Sequence, residues 1–366
     1  MLGSNPECLW IGSKKMKKAL SIILCIVVIS ALFACGKKEE PTTTQTTTET
    51  TTQTTTQAPE ITNPLTGEKD YNKSAVGVRP VAIVVENLSP ARPQWGIESP
   101  DIIVEGEVEG GISRMLWFYA DYTAVPKKVG PIRSARPSYV KFSEYFDSIY
   151  VHWGGSHNRS NYTGGYGVIK KDKVDDIDGM NGGKLFGRDT TRRVSSEHRG
   201  ILYGDKLAEV IKDKKYRTAL DESKFSVLDF NESIVNAGSD KASTINSKFS
   251  SRTDTRKFTF STKDGKYHTN DWKTDVAFQN VIIIMDETKY ITTPYKGGTT
   301  TYLNYLYKGS EGYYASNGTI TKIKWEVKDN KILFKDASGN ALKLNPGKSY
   351  IGLASSNNGG KVTYAE

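Results

Sequence analysis

RPVAIVVEN, residues 79–87, is a compact apolar run rich in β-branched residues, and its length and flanking turns predict a strand. Three further runs in the first half of the chain have the same character: 101–109, 115–122 and 147–155. Two other segments, 134–147 and 206–215, are typical of short helices. Strands mixed with helices predict an α/β or α+β N-terminal domain over residues 63–220.

The second half of the chain has a different pattern. From about residue 240, short alternating runs such as RKFTFST, TKIKWEVK and SYIGLA follow one another. Turn signals that include DG, KGG, SNG, SGN and NPG separate these runs. This spacing predicts a β-rich C-terminal domain over residues 221–366, built as a sandwich or a partial barrel.

The N-terminal residues predict export. KKMKK, residues 14–18, is followed by sixteen uncharged residues that end directly before Cys35. This run is short for a spanning helix, which needs about 20 apolar residues, but it has the proportions of a secretory signal. The residues around Cys35 resemble a bacterial lipobox. We predict a lipoprotein signal peptide over 1–34, beginning at Met1 or Met16, and a lipid such as palmitate on Cys35.

The alternative is a single N-terminal anchor helix, and both interpretations place the rest of the chain on the outer face of the bacterial cytoplasmic membrane. Residues 35–62 are rich in Thr and Gln and nearly free of apolar side chains, which predicts a disordered linker. The three cysteines are Cys8, Cys25 and Cys35. They all precede the folded part, and this excludes disulfides and thiol chemistry there.

The charge points to anionic partners. The formal net charge is +9, of which +3 lies in the predicted signal peptide. A mildly basic protein outside the membrane meets anionic lipids and anionic wall polymers, and we expect no nucleic-acid partner.

A set of motifs then resembles a known family. They are NPLTG at 63–67, RPVAIVVEN, ARPQWGIESPDIIVE at 91–105, EGGISR at 109–114, VGPIRSARP at 129–137, HWGGS at 152–156, LFGRD at 186–190, NVIII, GYYASNGTITKIKW and GNALKLNPGKSYI. In this order they resemble the YerB-type bacterial lipoprotein family across nearly all of residues 63–354. The resemblance implies a lipid-anchored extracytoplasmic protein with two adjoining domains. It implies no activity, because both domains of the family are of unknown function.

Three glutamates alternate along the run 101–109. Glu105, Glu107 and Glu109 would point to one face of a strand, where parallel carboxylates need cations opposite them. The nearby cations are Arg114, Arg133 and Arg136. The family pattern matches the first and last glutamate but not Glu107, and we therefore expect Glu107 to be a plain surface residue.

These charges have two interpretations. In the first, Arg133 and Arg136 bind a carboxylate or phosphate through planar, bidentate donors, with Glu109 beside them as an acid or base. The other predicted ligand-binding residues are Arg114, Ser134 and Arg188, and Glu105 is the second candidate acid or base. In the alternative, the same residues are Arg–Glu pairs that pin strands together.

VHWGGS, residues 151–156, contains the histidine with the strongest functional case. His152 could transfer a proton, Trp153 could stack on a sugar, and Gly154 and Ser156 could help to hold an anion. The alternative for His152 is a strand-end side chain bonded to a neighbouring carbonyl. His198 has a weaker case, since the family pattern there is Pro-His-Asn and this chain has Glu197-His198-Arg199.

Other chemistry is not indicated. The chain lacks GxSxG and HExxH motifs, and its four histidines lack metal-ligand spacing, so we predict no metal and no cofactor. The acidic segment 172–184 fails the EF-hand register. A solvated turn is the preferred interpretation, and an irregular Ca²⁺ loop is the alternative.

We therefore predict a lipid-anchored envelope protein that binds an anionic ligand, either peptidoglycan or a phosphate-bearing glycopolymer. One alternative is a hydrolase or transferase acting on such a polymer with Glu109 and Glu105 as acid and base. A second alternative is a protein-interaction module that uses an exposed apolar or tyrosine-rich face within 290–327.

Overall fold

The structure is a computed structural model that describes residues 61–366. The predicted signal peptide, the lipidation site Cys35 and nearly all of the predicted linker lie outside the described residues. Within residues 61–366, no helix combines the length and apolar character that crossing a membrane requires.

The first half of the described chain alternates strands and helices. The strands are β1 (Val81–Glu86), β2 (Ile102–Glu109), β3 (Ile112–Tyr119), β4 (Ile149–His152), β5 (Asp176–Asp178), β6 (Phe186–Arg188) and β7 (Gly200–Leu202). The helices are α1 (Pro137–Glu144), α2 (Gly165–Asp172) and α3 (Leu207–Asp213). Pro137 lies in the first turn of α1, where a missing N–H costs no helical hydrogen bond. The four predicted strands and both predicted helices are present with shifted ends.

Between residues 229 and 366 the regular elements are all strands. They are β8 (Asp229–Phe230), β9 (Asp240–Lys241), β10 (Thr244–Lys248), β11 (Thr255–Ser261), β12 (Lys266–Thr269), β13 (Val276–Phe278), β14 (Asn280–Asp286), β15 (Thr288–Tyr295), β16 (Gly298–Tyr305), β17 (Ser310–Ser316), β18 (Thr319–Lys328), β19 (Lys331–Lys335), β20 (Lys343–Leu344), β21 (Ser349–Ser355) and β22 (Lys361–Ala365). Asn317 and Gly318 both have positive φ and form the tight turn between β17 and β18 that the SNG signal predicts. The predicted fold class, a mixed α and β first part and a β-rich second part, is confirmed.

Thirteen strands of the described part form one main sheet. Its order is β19-β18-β17-β14-β21-β2-β3-β1-β4-β5. β9 pairs with β18, and the β15–β16 hairpin joins the sheet where Tyr302 pairs with Glu109. β21 lies between β14 and β2 and is parallel to both. The main sheet therefore runs without a break through both halves of the chain, and the predicted boundary at residue 220 remains a prediction.

Two apolar cores cover the two faces of the main sheet. On one face, α1 and α2 contribute side chains such as Phe142 and Ile169. On the other face lies a second, five-stranded sheet with the order β13-β12-β11-β10-β22, together with α3. Phe258, Trp272 and Tyr350 meet in this second core, and all three are buried. The main sheet is thus a central layer between helices and a smaller sheet.

A buried polar network joins the main sheet to the five-stranded sheet. The Glu105 carboxylate on β2 is 0 % exposed and accepts a hydrogen bond from Arg256 Nε on β11 at 2.9 Å. It also accepts bonds from Ser113 Oγ at 2.7 Å and from Tyr350 Oη on β21 at 3.0 Å. These donors satisfy the buried charge, which would otherwise cost several kcal/mol.

The structure corrects two expectations about the glutamates on β2. The β2–β3 register shifts between Glu107 and Glu109, and this bulge separates Glu109 from the other two. Glu105 bonds Arg256 on one side of the sheet, whereas Glu109 bonds Arg114 and Arg136 on the other. Glu107 is not a surface residue: it is 1 % exposed and accepts bonds from the Gly111 amide and the Tyr290 hydroxyl.

The acidic segment 172–184 is only in part the expected solvated turn, since residues 180–184 are exposed but residues 177–179 are buried. Asp176–Asp178 forms β5, which pairs in parallel with β4. Asp178 is 7 % exposed, and its carboxylate accepts bonds from the Gly154 amide at 2.7 Å and the Tyr166 hydroxyl at 2.7 Å. Its acidic side chain therefore anchors a loop instead of facing solvent.

Arg256→Ala should lower the free energy of unfolding by about 3–5 kcal/mol, because it leaves the Glu105 charge buried without its cation. Urea unfolding followed by circular dichroism measures this loss. Arg193→Ala, which removes an exposed arginine, is the control and should change stability by less than about 0.5 kcal/mol. A loss below about 1 kcal/mol for Arg256→Ala would show that the pair does not hold the two sheets together.

Candidate functional site

The candidate site is a cleft of about 310 Å³. It lies beyond the carboxyl ends of the parallel strands β1, β4 and β5, the position at which open α/β sheets bind ligands. Its walls consist of 132–134, 153–155, His157, Tyr166, Met180, Arg188, Glu197 and Gly200. We refer to this site below as the cleft.

Arg133 enters the cleft from a segment held between two strands. Its amide donates to the Val84 carbonyl at 2.9 Å, and its carbonyl accepts from the Trp153 amide at 2.9 Å. The guanidinium is 20 % exposed and only loosely paired, with Glu86 and Glu197 oxygens each at 3.4 Å. Its buried Nε is the atom that lies near Glu86, whereas Nη1 makes no hydrogen bond within residues 61–366. Arg133 therefore keeps donor capacity for a ligand.

Arg188 supplies the second guanidinium of the cleft. It lies over the Trp153 ring at 4.6 Å from the centroid, and one of its nitrogens donates to the Ser196 carbonyl. Among the described residues, no carboxylate lies within 4.0 Å of it, so its charge is not neutralised by an ion pair. The ring that we predicted to stack on a sugar thus supports an arginine on one face.

The backbone approaches the Trp153 ring closely. A Cβ atom at Gly179 would lie 2.7 Å from the ring, and one at Gly200 would lie 3.0 Å from it. Phe186 packs against the ring edge at 5.5 Å between centroids. These contacts fix the indole, and through it they fix the position of Arg188.

The small residues of the HWGGS motif have mostly internal partners. The Gly154 amide, predicted to face an anion, donates to Asp178. The Ser156 hydroxyl accepts from the Gly165 amide at 2.8 Å, is 7 % exposed and does not line the cleft. Ser134 does line the cleft, and its hydroxyl donates to the Trp153 carbonyl at 3.1 Å.

Arg114 and Arg136 lie outside the cleft and hold Glu109 between them. Arg136 Nε donates to Glu109 Oε2 at 2.7 Å, Arg136 Nη2 and Arg114 Nη2 share Oε1, and the Arg114 contact is 2.7 Å long. Burial alone would raise the pKa of the Glu109 carboxyl, but the two guanidinium groups outweigh burial and lower that pKa to about 2. This cluster therefore fits the alternative interpretation, in which Arg–Glu pairs pin strands together.

The remaining candidate catalytic residues are enclosed. His152 is 0 % exposed, with Nδ1 2.7 Å from the Gly154 carbonyl oxygen and Nε2 3.0 Å from Asp176 Oδ2. Glu105 lies in the network between the sheets. A catalytic role for either has no support in this geometry, because neither side chain reaches the cleft, and the structure does not bring Glu105 and Glu109 together.

Several residues of the cleft were not among the predicted ones. His157, Tyr166, Met180 and Glu197 line it, and Glu86 lies behind Arg133 and bonds His198 Nδ1 at 2.9 Å. No sequence signal pointed to Glu197, because the departure from the family pattern at residues 197–199 weakens the case for this segment. Residues 61–366 contain no group of three or more His, Cys, Asp or Glu arranged to hold a metal.

Comparison with known proteins places this architecture in a family. Profiles described as the N-terminal and C-terminal domains of the protein of unknown function DUF3048 match residues 65–217 and 239–351. The chain belongs to the DUF3048 family. The predicted resemblance is therefore confirmed, and Arg133, Trp153 and Arg188 all lie in the N-terminal DUF3048 domain.

Two comparisons extend this result. The chain is 29 % identical to the putative lipoprotein YerB of Bacillus subtilis (strain 168) over 357 residues. This alignment covers 92 % of this chain and 96 % of YerB. The crystal structure of YerB from Bacillus subtilis matches with a TM-score of 0.66 at 24 % identity, over 83 % of this chain and 100 % of that one. The structural match supports the DUF3048 fold alone.

Glu109→Gln should destabilise the protein most at neutral pH. The folded-state pKa of Glu109 is about 2, below its ordinary value of 4.5. The ionised carboxylate therefore stabilises the fold fully above about pH 4.5, and this stabilisation is lost as the pH falls towards 2. The stability difference between wild type and variant should narrow by about 2 kcal/mol between pH 6 and pH 3.

Urea unfolding at several pH values measures this difference. Glu222→Gln, at an exposed glutamate, is the matched control and should show a small difference at every pH. If the Glu109→Gln difference stayed constant from pH 6 to pH 3, the arginine clamp would not govern the ionisation of Glu109.

Proposed function

We propose that this chain is a lipid-anchored extracytoplasmic lipoprotein whose cleft binds an anionic group of a cell-envelope glycopolymer. Its relative YerB is named a putative lipoprotein, and Cys35 follows a lipobox-like sequence. A lipid on Cys35 would attach the chain to the outer face of the cytoplasmic membrane. The ligand would then be peptidoglycan or a phosphate-bearing glycopolymer.

The observation that carries the proposal is the difference between two pairs of arginines. Arg114 and Arg136 are both ion-paired with Glu109. Arg133 has only loose partners at 3.4 Å, and Arg188 has no carboxylate partner among the described residues. Both of these line the cleft. Guanidinium groups with free donors in a concave site are suited to planar, bidentate binding of phosphate or carboxylate.

A hydrolytic or transferase activity is less well supported. Glu109 is clamped in its ionised form, and its pKa of about 2 makes it a poor general acid. Ser138 and Lys141 have the SxxK spacing, but Ser138 is 6 % exposed and the Lys141 ammonium lies 2.7 Å from Asp172. Neither Glu109 nor the Ser138–Lys141 pair therefore has the geometry of an accessible catalytic group.

A protein-interaction face within 290–327 also has little support. Tyr302, Tyr305 and Tyr314 are each at most 6 % exposed: Tyr305 and Tyr314 belong to the apolar core, and Tyr302 stacks on Tyr162. Among the tyrosines of this segment, Tyr295 is the large exposed one at 41 %. The segment therefore has one strongly exposed tyrosine, with Tyr290, Tyr307 and Tyr313 only partly exposed, and this does not make a tyrosine-rich face.

The double variant Arg133→Ala/Arg188→Ala should lose binding to cell wall. The protein would begin at residue 35 and carry Cys35→Ser, so that the predicted lipid is absent. It is incubated with intact wall and, separately, with wall stripped of phosphodiester polymers; the pellet is assayed for protein and the supernatant for released fragments. Two charge-assisted contacts of about 1.5 kcal/mol or more each predict at least a roughly hundred-fold loss of affinity.

Lys257→Ala/Lys263→Ala is the control, because it removes the same charge from exposed positions in and beside the five-stranded sheet. Retention on intact but not on stripped wall identifies a phosphate-bearing polymer, and retention on both identifies peptidoglycan. Released fragments would make the protein an enzyme. No retention of the folded wild-type protein would refute the proposed ligand class.

Glu197→Gln should strengthen the same binding by about two- to five-fold. Its carboxylate lies 3.4 Å from Arg133 Nη2 and competes with an anionic ligand for that group, in an exposed pair of about 0–1 kcal/mol. Glu222→Gln removes an equal charge elsewhere and should leave the affinity unchanged. Weaker binding by Glu197→Gln would mean that Glu197 contacts the ligand itself or positions Arg133 for it.

A further inference from the structure

We infer that the cleft is one end of a longer cationic strip that continues to the tip of the β15–β16 hairpin, and that the ligand is an extended anionic polymer engaged at both ends. This inference rests on the proposed function, and it adds a second binding region that the cleft alone does not require. The strip consists of Arg133 and Arg188 at one end, His157 in the middle, and Arg159, Tyr295 and Lys296 at the other end.

The loop after HWGGS connects the two ends. His157 lines the cleft, and the Arg159 guanidinium lies over the Tyr295 ring at 5.1 Å from its centroid. Two residues of chain span at most about 7 Å, so the cleft wall and the hairpin tip are neighbours on the surface. A polymer that leaves the cleft past His157 therefore reaches Arg159 and Tyr295 next.

The hairpin is fixed against this loop by two further contacts. Asn161 Nδ2 donates to the Thr292 carbonyl at 3.2 Å. The rings of Tyr162 and Tyr302 stack with centroids 4.1 Å apart and an angle of 4° between their planes. Tyr302 on β16 pairs with Ile291 on β15. Tyr295 is four residues after Ile291 on the same strand, so Tyr302 and Tyr295 lie on one face of the hairpin. The tip is thus held at a set place relative to the cleft.

The hairpin end of the strip carries uncompensated charge. Within residues 61–366, neither Arg159 nor Lys296 has a carboxylate within 4.0 Å, and the buried Arg159 Nε has no hydrogen-bond partner. The Lys296 ammonium lies 5.4 Å from the centroid of the Tyr295 ring, so this ring contacts two cations, Lys296 and Arg159. The arrangement offers an aromatic edge for a sugar and two cations for its anionic substituents.

Separated groups of free cations favour a ligand with repeated charges. A single phosphate is expected to bind in the cleft, whose wall contains both Arg133 and Arg188, and it cannot reach the hairpin tip at the same time. A glycopolymer with one anionic group in each repeating unit can bind both, and its second contact benefits from the high effective concentration that the first one creates. The carboxylates that face the strip, Glu86 and Glu197, lie at the cleft end beside Arg133.

The test compares ligand lengths. The chain from residue 35 with Cys35→Ser is titrated calorimetrically with glycerol phosphate and with poly(glycerol phosphate) of about ten units, and affinity is expressed per repeating unit. We expect the polymer to bind at least about ten-fold more tightly per unit. Tyr295→Ala/Lys296→Ala should remove this gain and leave the affinity for the single unit unchanged.

Lys361→Ala/Tyr364→Ala is the matched control, since Tyr364 is 42 % exposed and Tyr295 is 41 % exposed. It should keep the full gain. Arg159→Gln removes the charge from the loop side without changing any residue of the hairpin, and it should reproduce the loss even if the hairpin variant folds poorly. Arg133→Ala/Arg188→Ala should abolish binding of both ligands.

The outcomes separate the two proposals. A length gain that survives both Tyr295→Ala/Lys296→Ala and Arg159→Gln overturns the strip and leaves the cleft proposal standing. Equal affinity per unit for the single unit and the polymer also overturns the strip. If the wild-type protein binds neither ligand and also fails to bind peptidoglycan, the proposed function falls and the strip falls with it.

Discussion

The pairing of β21 with β2 is the constraint on which the structure depends. β21 enters the middle of the main sheet, parallel to β2 on one side and to β14 on the other. Without it, the strands of the first half would form a separate sheet with an open edge at β2, and each of the two apolar cores would lose the continuous surface that it covers. Tyr350 on β21 also donates to Glu105, so the same strand completes the buried charge network.

The cleft follows from this arrangement. Once β2 is fixed at the centre, β3, β1, β4 and β5 continue the sheet outward, and the parallel run of β1, β4 and β5 brings three carboxyl ends to one edge. The connections after these strands must turn there, which places Arg133, Trp153 and Met180 around one cavity. The glycines at 179 and 200 let the backbone lie against the indole, and this contact sets the position of Arg188.

Much of the fold could be predicted from the sequence, because strand periodicity and turn residues are local signals. The strands near 79–87 and 101–109 and the turn at Asn317-Gly318 are examples. The union of both halves in one sheet had no local signal, since the contact between Tyr350 and Glu105 spans 245 residues. The bulge after Glu107 was equally invisible, and for that reason the expected common face of the three glutamates was wrong at Glu109.

The candidate site was predicted in part for the same reason. The segment around Arg133 and Arg136 indicated an anion site, but only the long-range contact with Glu109 shows which of the two arginines is neutralised. The sequence places His152 at a strand end whether it is catalytic or structural. Its ring nitrogens contact the Gly154 carbonyl and Asp176, and these long- and short-range partners show that the side chain is structural. Glu197 and Tyr166 come to the cleft from elements that no sequence spacing connects.

The position of β21 has a consequence for how the protein is made. Synthesis delivers residue 350 long after residue 105, because the chain is made from its N-terminus. Until its C-terminal residues arrive, the first half has β2 as an unpaired edge with its apolar faces uncovered. Completion of the sheet is therefore a late, non-local and slow event. A chain interrupted before β21 would therefore present an adhesive sheet edge and not a shorter version of the protein.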